Sequence, residues 1–257
     1  MAAYESIALA YFVGLSLVAW LGPVPVQRRL IVSGTALGIA AVIAVIAGTG
    51  NSVLRAWAPH VYLVAGYWLP AMLAARPLVP TRFERWLVGS DFHVRRRLPA
   101  VPETLRPVTE VAYLLCYLLI PAAFAMVWTR GAHDDVIRFW AAVLLSGYAC
   151  YICLPWLVSR PPRLLEQVSA SGPVGTLNVL VLGRVSHGLN TFPSGHVAVS
   201  CAAATMLAAV SPAAAVAFGV VAVFIAVGAA AGRYHYAVDV LFGLGVAAVG
   251  IALAMQL

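Results

Sequence analysis

Pro193-Ser194-Gly195-His196 and His235-Tyr236-Ala237-Val238-Asp239 bracket an apolar stretch, residues 197–234, interrupted by a turn signal at Ser211-Pro212. At 1.5 Å per residue that stretch suffices for two bilayer crossings, so the two histidines return to one end of a helical hairpin. This reading decides the fold: apolar helices that span, with polar residues gathered at their ends. A His or an Asp in an apolar helix is often a satisfied buried group. Two His and one Asp meeting beside Arg233 point instead to a site.

Composition extends the reading to the whole chain. Of its 257 residues 63% are hydrophobic and 10% charged, with a mean hydropathy of +0.93, whereas an ordinary soluble domain carries about a quarter charged residues. The fold class expected is therefore all-α: a polytopic membrane helical bundle. Apolar runs near 6–22, 30–48, 56–75, 108–128, 136–157, 196–210, 213–231 and 238–256 approach the roughly 20 residues a crossing requires, giving eight helices. The first run carries Glu5 rather than a basic start, and no small-residue cleavage site precedes Pro23, so it reads as a retained helix, not a signal peptide. The first two helices are the least securely tied to the rest. They make one unit, 1–55, ahead of a second at 56–257 whose motif-bearing part is 108–257.

The net charge of +7 comes from arginine alone, as the chain has no lysine. Membrane orientation and anionic headgroups explain it better than nucleic acid does, so no nucleic-acid partner is expected. Sorted by alternating loops, Arg28, Arg29, the seven arginines from Arg76 to Arg106, Arg160, Arg163, Arg184 and Arg233 fall on one side, and Arg55, Arg130 and Arg138 on the other. The positive-inside rule then puts the histidine end in the cytoplasm. Cys150-Tyr151-Ile152-Cys153 matches a redox string without its βαβ context, so Cys116, Cys150, Cys153 and Cys201 read as small buried residues.

Two polar intervals carry the remaining signals. In 76–106, Phe83-Glu84-Arg85-Trp86-Leu87 mixes aromatic, apolar and basic residues as an interfacial helix does, serving as a positive anchor or as a rim that gathers headgroups. In 158–195, Arg160 and Arg163 precede a short apolar segment, Val174 to Val185, expected as a surface or re-entrant helix. Gly243 and Gly245 in the last span are expected to let helices approach closely.

The residue types fit phosphoryl chemistry. Pro193 fixes the chain ahead of a helix, Ser194 can cap it, and Gly195 lets the backbone approach a ligand, while helix N-termini hold anions. His196 then sits beside the anion as a proton donor. His235 and Asp239 are four apart, on one face of a helix, where the carboxylate fixes the imidazole tautomer and leaves the other nitrogen to attack. Arg160, Arg163 and Arg233 supply planar donors matched to phosphate oxygens. Two His and one Asp could also hold zinc, but neither an H-E-x-x-H helix nor a cysteine cluster in the polar loops supports a metal, and no cofactor is called for.

These residues resemble the type 2 phosphatidic acid phosphatase superfamily, which also includes vanadium haloperoxidases. The resemblance rests on P-S-G-H at 193–196 and on His235 and Asp239 of a third motif usually written R-x5-H-x3-D. It implies a six-helix membrane core, here preceded by two extra helices, with His235 as the nucleophile that becomes phosphorylated, His196 as general acid, Asp239 orienting His235, and Ser194 and Gly195 binding phosphate. Where the family has its third-motif arginine this chain has Ala229, and Arg233 stands two residues before His235. The first motif, K-x6-R-P, aligns on Arg160-Pro161 with Cys153 in place of lysine. Arg163 then compensates, and the Pro-Pro-Arg and His-Tyr-x-x-Asp forms look more like the inositol phosphorylceramide synthase-like branch. The implied activity is a lipid-phosphate phosphatase acting on a phosphomonoester or diphosphate lipid in the bilayer. The alternatives are transfer of the phosphoryl headgroup to an alcohol, or non-catalytic lipid binding or transport. The resemblance also implies an extracytoplasmic site, against the charge bias.

Overall fold

The computed structural model describes residues 1–22, 24–75, 79–168 and 172–257; Arg76 of the arginine tally falls outside them. In chain order the helices are α1 (Ala3–Val18), α2 (Val26–Ala47), α3 (Ser52–Trp57), α4 (Pro59–Leu73), α5 (Arg82–Arg95), α6 (Arg106–Arg130), α7 (His133–Tyr151), α8 (Pro162–Leu165), α9 (Gly172–Val185), α10 (Gly195–Met206), α11 (Pro212–Ala231) and α12 (Ala237–Ala254). No strand occurs among the described residues, which form an all-α polytopic bundle.

A helix stands at each of the eight expected spans, but they are not equally long. Four, at Val26–Ala47, Glu103–Arg130, Pro212–Ala231 and Ala237–Ala254, are long and apolar enough to cross a membrane by length and composition. α1 and the α10 segment are apolar but shorter. α7 opens on His133, Asp134 and Asp135 and carries Arg138, and α10 begins only at Gly195. α7 is long enough, at 19 residues, but its three charges set it apart from the four, whereas α10 is short because residues 193–194 ahead of it belong to the site end.

α7 lies at the centre, packed by α10, α12, α1 and α4, while α6 pairs with α11. Trp140, Phe139 and Phe124 fill the middle, fully buried, and Trp140 Nε1 donates to the Ala56 carbonyl at 2.8 Å. α1, expected to be loosely tied, is wedged into the bundle: Tyr11 stacks on Tyr148 of α7 at 3.8 Å and donates to the Gly66 carbonyl of α4 at 2.8 Å. Close approach at glycine recurs at the site end. A Cβ at Gly243 would stand 2.8 Å from the Ser194 carbonyl oxygen, so α12 meets the start of α10 backbone to backbone. Gly245, given the same role from sequence, has open space beside it.

The Arg-rich interval becomes α5, capped by Thr81, whose Oγ1 accepts from Glu84 N at 2.9 Å. Glu84, Leu87 and Asp91 share one face at i, i+3 and i+7, and all three are buried. α5 packs against α12, at the end of the bundle where both histidines lie. α9 packs on α6, where Asn178 donates to the Glu110 carbonyl at 2.8 Å.

Candidate active site

Three chain segments meet at this end, and main-chain bonds knit them together. Asn190 N donates to Ser159 O at 2.9 Å, Arg163 N to Arg233 O at 2.8 Å, and Ser194 N to Asp239 O at 3.2 Å. The residues quoted from 158–166, 190–196 and 233–239 are thus joined before any side chain is counted.

His196 occupies the first turn of α10. Its ring centroid is 5.7 Å from that of His235, with the planes at 57°, and 5.6 and 5.7 Å from the rings of Tyr113 and Tyr117 on α6. Ser194 takes the N-cap position but its side chain makes no cap hydrogen bond; Oγ is buried without a protein partner. The expected capping role is therefore not what this hydroxyl does. Gly195 has a packing reason as well: a Cβ there would be 2.5 Å from Cε1 of buried Tyr151.

His235 lies in the turn between α11 and α12. Asp239 Oδ2 is 3.5 Å from His235 Nδ1 and accepts from Tyr236 N at 3.1 Å. The carboxylate thus serves two masters: it satisfies an orphan donor at the start of α12, in the first turn where the dipole favours a negative charge, and it faces the imidazole. At 3.5 Å the second contact is longer than a normal hydrogen bond, and His235 Nδ1 is buried with no hydrogen-bond partner among the described residues. His235 and Asp239 are both buried.

The turn ahead of His235 closes α11 as a Schellman motif, with Tyr234 N donating to Ala229 O at 3.0 Å and Arg233 N to Ala230 O at 3.2 Å. The position needing a left-handed backbone is usually glycine; here it is Arg233, at φ 58°. A side chain there costs about 1 kcal/mol or more, which persists only where the surroundings hold it. They do: the Arg233 guanidinium donates to Glu166 through both Nε and Nη2, and through Nη1 to Asp91 Oδ2 at 3.0 Å. Burial opposes the Arg233 charge, but these carboxylates outweigh it and hold the guanidinium above its ordinary value. In turn, the hydrogen bonds from Arg233 hold the Glu166 carboxyl below the usual carboxylate range.

The other two arginines are placed differently. Arg163 Nη1 donates to Gly232 O at 2.8 Å, and its guanidinium lies 5.0 Å over the Tyr234 ring. Tyr234 stacks on Tyr113 at 4.2 Å, which brings Arg163, Tyr234, Tyr113 and His196 into one layered series. Tyr234 Oη is anchored by Glu110 Oε2 at 2.6 Å. Arg160 pairs in bidentate fashion with Glu84 of α5, Nε to Oε1 at 2.8 Å, and lines a recess of about 220 Å³ that includes neither histidine. A larger recess of about 580 Å³ between α7 and α12 is apolar and also lies away from them. The structure thus gathers His196, His235, Asp239 and Ser194 closely, connects Arg163 through the tyrosine stack, and gives Arg160 and Arg233 to carboxylates.

Those carboxylates, Glu84, Asp91 and Glu166, and Glu110 behind Tyr234, were missed from sequence as parts of the site. Their partners lie 76, 142, 67 and 124 residues away, so no local spacing announces them. The available signal was the acidic pair Glu84 and Asp91 on the same face of α5 as Leu87. Among the described residues no group of three or more His, Cys, Asp or Glu is placed to hold a metal ion.

No curated protein and no solved structure matches the chain. The model of one family, described as the PAP2 superfamily, matches residues 81–253. The match reaches back past the motif-bearing part at 108 to take in α5, the helix whose carboxylates hold the turn beside His235. It spans more than half of the chain, and on that basis the chain belongs to the PAP2 superfamily.

Proposed function

We propose that this protein is a membrane phosphatase that hydrolyses a lipid phosphomonoester or diphosphate through a phosphohistidine. The observation that carries the reading is the pairing of His196 and His235, ring centroids 5.7 Å apart, with Asp239 Oδ2 3.5 Å from Nδ1 of His235. In the first step a ring nitrogen of His235 forms a bond to phosphorus as the bond from phosphorus to the lipid oxygen breaks. Protonated His196 gives its proton to the departing alkoxide, so the lipid leaves as an alcohol. In the second step His196, now neutral, takes a proton from water, the oxygen attacks phosphorus, the N–P bond breaks, and inorganic phosphate leaves. Asp239 stabilises the imidazolium character of His235 as the N–P bond forms.

Ser194 and Gly195 offer a free hydroxyl and a helix-start N–H to the phosphoryl oxygens, and Arg163, stacked over Tyr234, adds its positive charge to the same end of the bundle. Arg160 and Arg233, each already matched by carboxylate, contribute positive potential and the geometry of the turn. The substrate comes from the bilayer, which surrounds the apolar helices. The charge bias favours a cytoplasm-facing site.

The test is phosphate release by purified protein from mixed micelles of a lipid-phosphate panel, with and without an alcohol acceptor. Release in both arms supports hydrolysis; product formed only with the alcohol points to phosphoryl transfer; no turnover of any lipid points to a binding or transport protein.

A further inference from the structure

We propose that Asp91, on the interfacial helix α5, is a positioning residue that sets the catalytic turn around His235. The inference rests on His235 being the nucleophile. Asp91 Oδ1 accepts from the backbone N–H of Ala237 at 2.6 Å, and Oδ2 accepts from Arg233 Nη1 at 3.0 Å. One carboxylate therefore grips the chain two residues before and two residues after His235, and it does so from a helix 142 residues away in sequence.

Three observations argue that this grip has a purpose beyond cohesion. The residue it holds, Arg233, stands in a left-handed conformation that the turn requires and that a side chain disfavours. The N–H it accepts belongs to the first residue of α12, which carries Asp239, so Asp91 also fixes where that helix begins. Asp91 is itself almost fully buried, at 2% exposure, and its face of α5 presents Glu84 to Arg160 in the same manner. α5 thus binds the site by inward carboxylates while its arginines face outward. Asp91 touches neither histidine; it acts through the turn. A displacement of about 1 Å in a reacting group costs about 100-fold in rate, so loosening one end of the turn is expected to appear in kcat.

The experiment compares Asp91→Asn with Glu5→Gln in the full-length protein, measuring kcat, KM and Tm with a short-chain lipid phosphate in detergent. Glu5 is buried and ion-paired with Arg55 near the start of α1, far from the site in the fold, so Glu5→Gln removes a comparable pair without touching the turn. Asp91→Asn is expected to lower kcat about 30-fold or more, with KM within about threefold, a pattern of lost transition-state alignment. Glu5→Gln is expected to lower Tm similarly while leaving kcat at the wild-type value. Should Asp91→Asn be too unstable to purify, Asp91→Glu keeps the charge but displaces both oxygens by one methylene, and its kcat is expected to fall about 10-fold. The proposal is overturned if the purified variant retains wild-type kcat, if the loss lies in KM alone, or if Glu5→Gln loses kcat to the same extent. Wild-type protein inactive on every lipid phosphate would overturn the phosphatase reading and this inference with it; active wild type with an indifferent Asp91 overturns the inference alone.

Discussion

His196 and His235 face one another across less than 6 Å yet are asked for opposite work, one to hold a proton and the other to lack one. Asp239 stands behind His235, where it can fix the tautomer that leaves the other nitrogen free to attack, while His196 looks onto Tyr113 and Tyr117 and would take up its proton beside the bound phosphate anion. Replacement of His235 by Ala is expected to abolish turnover and covalent phosphate labelling. His196→Ala is expected to slow the first step most for poor leaving groups, so a series of esters of rising alcohol pKa should steepen in the variant. Asp239→Asn keeps the volume but presents the wrong donor to the imidazole, and a loss of about 10²–10⁴-fold in kcat is expected. For Arg163, lysine cannot both bond Gly232 O and lie flat over Tyr234; a loss of about 10-fold in kcat/KM is expected, and unchanged kinetics would place the phosphate elsewhere. That His196, His235 and Asp239 come together was legible in the sequence because their motifs are local. The free Ser194 hydroxyl was not, because whether a residue at an N-cap actually caps depends on its rotamer.

Helix α5 shows why elements are harder to read than motifs. Its mixed aromatic and basic residues announce an interfacial helix, but they also conceal the inward acidic face at Glu84 and Asp91, which pairs only with residues far along the chain. The small-residue reading of α12 was right at Gly243 and not at Gly245, since residues two apart on a helix lie on nearly opposite faces and meet different surroundings. Gly243→Ala would drive a methyl group against the Ser194 carbonyl and is expected to cost about 1–3 kcal/mol of stability along with activity, whereas Gly245→Ala should be neutral; thermal unfolding in detergent separates the two. The Glu166–Arg233 pair adds a pH dependence to the same end of the bundle. Its carboxyl is held below the ordinary range, so its stabilising effect is complete above the unfolded-state value and is lost as pH falls through the folded-state value. Glu166 is partly exposed, at 43% of its side chain, and screening limits the effect to about 1 kcal/mol. Glu166→Gln is therefore expected to flatten the acid limb of Tm against pH, and an unchanged limb would assign that limb to other carboxylates.

At the scale of the molecule, the all-α bundle and its hairpin of α10 and α11 follow from hydropathy, because lipid demands helices whose backbone groups are satisfied within the segment. Less legible was how many helices carry a full span, since α10 begins only at Gly195 and α7 carries Asp134, Asp135 and Arg138 within its length. α5 docks at the histidine end of the bundle, so the Arg-rich segment and the site share a side of the membrane. The charge bias then predicts that a single cysteine at Ser90, on a cysteine-free background, resists an impermeant reagent in intact cells and reacts after permeabilisation; labelling in intact cells would put the site outside. The central claim concerns covalent chemistry, and one measurement addresses it directly: rapid quenching of the purified protein with a radiolabelled lipid phosphate, followed by mapping of the acid-labile, alkali-stable label. The account predicts one phosphoryl group on the His235 peptide, formed before phosphate is released and missing in His235→Ala. Label retained in that variant, or turnover with no phosphoenzyme at any time point, would contradict it.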